Sequence, residues 1–187
     1  MSTLEYLRQF KAATVAAIQQ IREEEIEAFI QLVDRARKEK RQIFIIGNGG
    51  SAATATHFAN DLGKGAAALV PRFRVLSLTD NVAWMTALAN DLDYSHIFVE
   101  QLKNYAQPGD VLVAFSGSGN SPNVVKALEW ANANGCKTVG VTGRPGGQLG
   151  QISQLAVYIE SSHMGNIEEG HFVVQHLVGY YFMEQHR

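Results

Sequence analysis

The sequence predicts an α/β fold in which a parallel β-sheet is covered by helices on both faces. Three observations carry this. Short, near-continuous apolar runs recur along the chain, as strands buried on both faces require. Stretches of helical periodicity separate them, the alternation that builds parallel sheets. With 187 residues, 46% of them apolar and 18% charged, the chain is long enough to bury a core and fits one domain over residues 1–187.

The first 40 residues read as helix. Leu4, Leu7 and Phe10, then Val15, Ile18 and Ile21, recur at helical spacing. Ile26, Phe29, Ile30 and Val33 resume the pattern after the charged Arg22–Glu25, so either two helices or one bent helix spans this stretch. The apolar face is larger than one side of a single domain needs, which makes 1–40 a candidate oligomerisation segment. The rhythm then changes. "QIFIIG" (42–47), "FRVLSL" (73–78), "DVLVAFS" (110–116), "KTVGVT" (137–142) and "LAVYIE" (155–160) read as strands. Helices are expected at about 51–62, 81–91, 94–106 and 121–134, and a last one, rich in histidine and aromatics, at about 167–185. No internal repeat or linker interrupts them.

Composition excludes several classes. A net charge of −2 supplies no basic field for direct nucleic-acid binding. The one cysteine, Cys136 in "NGCKTVGVT", cannot form an internal disulfide and reads as a buried structural residue. The N-terminus lacks the layout of a signal peptide, and no apolar run approaches the roughly 18 residues of a membrane span. A cytoplasmic protein without membrane partners is expected.

Two turns carry the functional signal. "GNGGS" (47–51) follows the first strand and "SGSGNS" (116–121) the third, and each leads into a helix. Glycine lets backbone approach a ligand closely, and the free N–H groups of a helix N-terminus suit an anion. Ser116, Ser118 and Ser121 add hydroxyl donors that could ring a phosphate. The bland alternative is a pair of tight turns with helix caps. No GxGxxG follows the first strand and no GxxxxGK[ST] occurs anywhere, so no nucleotide cofactor is expected.

Titratable residues cluster nearby in the pattern. His57 and Asp61 lie four apart and share a helix face. On the last helix Glu169 and His176 align, Glu168 lies about 80° from His176, and His171 about 140° from it, which makes His171 structural rather than part of one site. Carboxylate and imidazole suit acid–base work and divalent metals alike. Trp84, Trp130 and "GYYF" (179–182) read as core or interface.

"GNGGSAATATHFANDL" and "SGSGNSPNVVKALEWANANGCKTVGVTG" resemble the sugar isomerase (SIS) domain, and within it the phosphoheptose isomerases. "LANDLDYSHIF" (88–98), "GDVLVAFS" (109–116) and "IEEGHFVVQHL" (167–177) extend the resemblance over nearly the whole chain. It implies a flavodoxin-like three-layer sandwich with a five-stranded parallel sheet, and a homotetramer. It implies sugar-phosphate binding at Ser116, Gly117, Ser118, Asn120 and Ser121, with Asn48, Gly49 and Ser51 from the first turn. The family's base falls on Asp61, its catalytic histidine on His176 and a further active-site acid on Asp91. In some members the residues matching His57, Asp61, Glu168 and His176 bind zinc. The chain departs from the pattern at Asp61, where the family has glutamate, and at Glu168, where it has glutamine. Gly65 replaces an arginine, with Lys64 beside it as a substitute, and Gly165 falls near an acidic position. The function implied is aldose–ketose isomerisation of sedoheptulose 7-phosphate to glycero-manno-heptose 7-phosphate through an enediol. The alternative is a non-catalytic SIS tetramer that binds sugar phosphates or serves as a scaffold on a replication initiator.

Overall fold

The computed structural model describes residues 1–184. Two N-terminal helices, α1 (Thr3–Gln19) and α2 (Glu23–Lys38), precede the sheet. A reciprocal capping box between Ser2 and Glu5 starts α1. Helix α2 has Glu23, Glu24 and Glu25 in its first turn and Arg35, Arg37 and Lys38 in its last, matching the helix dipole. The break at Arg22 therefore separates two helices rather than bending one.

The sheet contains β1 (Gln42–Gly47), β2 (Arg74–Ser77), β3 (Val111–Ser116), β4 (Lys137–Gly143) and β5 (Leu155–Ile159). All pairings are parallel and the order is β2-β1-β3-β4-β5. Helix α3 (Gly50–Asn60) follows β1, α4 (Val82–Asp91) and α5 (Val99–Tyr105) follow β2, and α6 (Pro122–Ala133) follows β3. Helices α7 (Gly147–Ile152) and α8 (Met164–Glu184) complete the chain.

The strands feed two cores by simple alternation. Ile43, Ile45, Val111, Val113 and Phe115 join Phe29, Val33, Phe58, Val174 and Val178 on one face. Phe44, Ile46, Leu112 and Ala114 join Phe98, Leu102, Val124 and Leu128 on the other. Sandwiching a sheet this way explains why the strands read as unbroken apolar runs.

Four local expectations need correction. The helix expected at 51–62 ends at Asn60 and widens into a π-helical turn over Asp61–Gly65, where the Ala66 N–H donates to the Asp61 carbonyl at 2.9 Å. The helix expected at 94–106 is a 3-10 turn, Tyr94–His96, then α5, because the Asp93 side chain caps the turn at Ser95. Helix α7 was not anticipated, being short and glycine-rich. Helix α8 starts at Met164, before the expected 167, and residue 185 lies outside the described residues.

Sheet order reverses between β1 and β3, whose neighbours diverge to either side. Ligands of such sheets bind beyond the carboxyl ends of the strands at this switch point. Gly47 pairs with Phe115 at the ends of β1 and β3, so both glycine–serine turns leave the sheet side by side there.

Candidate active site

The two turns enclose a small pocket of about 150 Å³. The first turn contributes Asn48 and Ser51, and the second contributes Ser116, Gly117, Ser118 and Ser121. Glu168 and Met164 of α8 close it. Ser51 and Ser116 are buried, and Ser121 Oγ lies 3.4 Å from Ser116 Oγ. Ser121 is the N-cap of α6 with Pro122 following, so the free amides of that helix start at the pocket. Gly119 has φ +67°, and a side chain there would collide with the Gly146 carbonyl. Glycine is thus what lets the second turn fold back tightly.

Glu168 reaches the pocket because Gly50, first residue of α3, has no side chain. A Cβ at Gly50 would lie 2.7 Å from Glu168 Oε1. The carboxylate accordingly rests against the positive end of α3.

A second group of side chains lies further along the same helices. Asp61 Oδ2 is 3.3 Å from His57 Nε2, and His57 Nε2 is 3.4 Å from His176 Nε2. The three ligand atoms lie within 4.8 Å of one another. Asp61 is buried and its Oδ2 has no hydrogen-bond partner among the described residues, while the His57 side chain is 40% exposed. Phe172 and Tyr180 stand edge-on to the two imidazoles, with ring centroids 5.6 Å from His57 and 5.4 Å from His176. Gly179 allows α8 to approach, since a Cβ there would come within 3.2 Å of Asp61 Cβ.

These atoms fit a divalent cation. Bonds of about 2.0–2.1 Å in a tetrahedral site place ligand atoms about 3.3–3.4 Å apart. The two distances from His57 Nε2, 3.3 Å to Asp61 Oδ2 and 3.4 Å to His176 Nε2, meet that spacing. An unpartnered buried carboxylate oxygen beside two imidazole nitrogens is also the donor set zinc accepts.

Several sequence-marked residues go elsewhere. Glu168 is not a fourth member of the His57–Asp61–His176 group and lines the serine pocket instead. The Asn120 side chain turns to the first turn of α7, accepting from the Gln148 N–H at 3.0 Å. Gly49 shapes the first turn as the N-cap of α3 without lining the pocket. Lys64 and Asp91 are exposed and line neither group; Asp91 accepts from its neighbour Asn90, at 2.9 Å. His171 is fully buried against Phe115, away from the histidine pair, and burial lowers its pKa to about 4. Conversely, Asn123 and Tyr94 bond to Asn48 at the pocket's edge. Asn123 sits in "SGSGNSPN", and an asparagine in the helix start directly after the glycine–serine turn is the signal that the sequence offers.

A profile of the SIS domain matches residues 5–143. The chain belongs to the SIS domain family. Among SIS proteins, a phosphoheptose isomerase from Trichlorobacter lovleyi is 35% identical over 182 residues, covering 94% of this chain and 85% of that one. Another, from Geobacter metallireducens, is 39% identical over 160 residues, covering 82% and 81%. The structure of phosphoheptose isomerase from Neisseria gonorrhoeae superposes with a TM-score of 0.90 at 26% identity, covering 98% of this SIS chain and all of that one. Among the described residues, no helix of this SIS protein is long and apolar enough to cross a membrane.

Proposed function

We propose that the protein is a phosphoheptose isomerase, interconverting sedoheptulose 7-phosphate and glycero-manno-heptose 7-phosphate. The observation that carries this is the placement of a serine-lined pocket, closed on one side by Glu168, and the His57–Asp61–His176 group along the same two helices, α3 and α8. His57 lies seven residues beyond Gly50 on α3, and His176 eight beyond Glu168 on α8. At 1.5 Å per residue the two groups are separated by about 10–12 Å along the helices. An open-chain heptose phosphate carries its phosphate and its carbonyl at opposite ends, and so suits two such groups. The relatives named phosphoheptose isomerase support the same substrate class.

In this reading Ser51, Ser116, Ser118 and Ser121 hold the phosphate with the amides at the start of α6. The Asp61 carboxylate takes the C1 proton of the ketose and returns it to C2 after the enediol forms, while His176 moves a proton between the two oxygens. No atom is gained or lost. His57, Asp61 and His176 would hold a divalent cation, zinc by donor type, and such a cation supplies Lewis-acid polarisation of sugar oxygens. The exposed apolar residues of α1 and α8 belong to the contacts of a homotetramer in this reading.

The test is turnover of sedoheptulose 7-phosphate, followed by NMR, with and without zinc. Formation of the aldose, lost in Asp61→Ala and His176→Ala, is expected. Binding of sugar phosphates with no aldose formed would overturn catalysis in favour of a sensor or scaffold.

A further inference from the structure

The pocket's first turn is held to the start of α6 by a hydrogen-bond network around Asn48. The Asn48 Nδ2 donates to Asn123 Oδ1 at 2.9 Å, and Asn123 Nδ2 donates back to Asn48 Oδ1 at 2.8 Å. The Tyr94 hydroxyl donates to the same Asn48 Oδ1 at 3.1 Å. Asn123 is 1% exposed, so its amide has no water to fall back on.

One further bond decides which way both amides face. The Val124 backbone N–H donates to Asn123 Oδ1 at 3.0 Å. A backbone N–H can only donate, so that atom is oxygen and not the amide nitrogen. The Asn123 nitrogen then points at Asn48, and Asn48 must offer oxygen to it. Both lone pairs of Asn48 Oδ1 are thereby used, by Asn123 and Tyr94, and one Nδ2 hydrogen is used by Asn123. What remains of the Asn48 side chain is a single N–H donor beside Ser51 and Ser116.

Tyr94 is itself braced. It opens the 3-10 turn Tyr94–His96, and Lys126, one turn beyond Asn123 on α6, holds that turn by its ammonium. Lys126 Nζ donates to Ser95 Oγ at 3.0 Å and lies 2.9 Å from His96 Nε2.

We propose that Asn123 and Tyr94 are positioning residues that lock the Asn48 amide as a one-hydrogen donor to an oxygen of the bound sugar phosphate. The proposal rests on reading the two turns as a sugar-phosphate cradle. They act only through Asn48. The network also ties the turn after β1 to the helix after β3, so the halves of the cradle keep one spacing before ligand arrives, which lowers the ordering cost of binding.

The experiment is a double-mutant cycle on the full chain, read as the Kd for sedoheptulose 7-phosphate by calorimetry and as KM and kcat. Tyr94→Phe removes one hydroxyl from a half-exposed ring and leaves the fold intact. It should raise Kd and KM roughly threefold or more, the worth of one hydrogen bond, with kcat little changed. Asn123→Ala should raise them further. In an Asn48→Ala background neither second substitution should shift Kd by as much as about twofold, because the residue they act through is gone. A Tyr94→Phe Kd equal to that of the parent, or additive effects in the Asn48→Ala background, overturns the proposal. Should Asn123→Ala fail to fold, the Tyr94 cycle decides alone. A parent that binds the sugar phosphate without isomerising it defeats the catalytic reading but leaves this test intact, since it is read on Kd. A parent that binds no sugar phosphate defeats both.

Discussion

In the proposed reaction Asp61 is the residue on which the chemistry turns. Its carboxylate is buried with one oxygen, 3.3 Å from His57, lacking a hydrogen bond among the described residues. A buried acceptor left unpaired costs about 1–3 kcal/mol, and more when charged. Nothing in folding alone favours that arrangement, whereas a cation or a substrate proton would relieve it. Two outcomes follow. Asp61→Ala should cut turnover by about 10²–10⁴-fold, the usual worth of a general base, while leaving the Kd for sugar phosphate within a few-fold. Asp61→Asn should raise the thermal midpoint of metal-free protein yet abolish stabilisation by added zinc, which differential scanning calorimetry would read. Stabilisation by zinc that persists in Asp61→Asn would remove Asp61 from the ligand set. At Cys136, burial and the nearby Asp110 charge push the thiol up to about 11. Native protein should therefore resist thiol reagents at pH 8 and react at once when denatured, a simple absorbance assay.

Helix α8 serves the core and the site from different faces. Its His176 meets His57, whereas His171 is fully buried against Phe115 with neither ring nitrogen hydrogen-bonded among the described residues. Burial lowers the His171 pKa from 6.5 to about 4. Between those values the unfolded chain takes up a proton that the folded chain refuses. Stability therefore falls as pH drops from about 6.5 toward 4, by something of the order of 3 kcal/mol, and His171 adds no further loss below that. Urea unfolding at pH 7 and pH 5 should show this loss in the parent and a smaller one in His171→Leu. An equal loss in both would assign the acid sensitivity elsewhere. Helix α3 shows the same division of labour. Its i, i+4 spacing is legible in "HFAND", but its widening into a π turn at Asp61 is not, because a π turn needs neighbours to hold it.

At the scale of the whole molecule, apolar surface remains uncovered. Leu4, Leu7 and Val15 of α1 and Leu177, Tyr180 and Tyr181 of α8 are exposed. A groove of about 660 Å³ lined by Ile18, Ile21, Ile26, Ile30, Leu177 and Tyr181 runs between the N-terminal helices and α8. In the proposed homotetramer this patch would be a contact surface. Leu177→Asp should lower the mass found by light scattering below that of the parent, and an unchanged mass would place the contact elsewhere. Much of the architecture was legible beforehand, for a local reason. Alternating Ile43, Phe44, Ile45 and Ile46, the glycine–serine turns after β1 and β3, and the four-residue spacing of His57 and Asp61 all express backbone geometry within a few residues. Which faces then meet is a matter of packing between elements far apart in the chain. That packing set His176 against His57, 119 residues away. It gave Glu168 to the serine pocket rather than the histidine pair, turned Asn120 toward Gln148, and closed Asn123 and Tyr94 around Asn48. No local period encodes those contacts, because they depend on where α8, α6 and the Tyr94–His96 turn come to rest against the sheet.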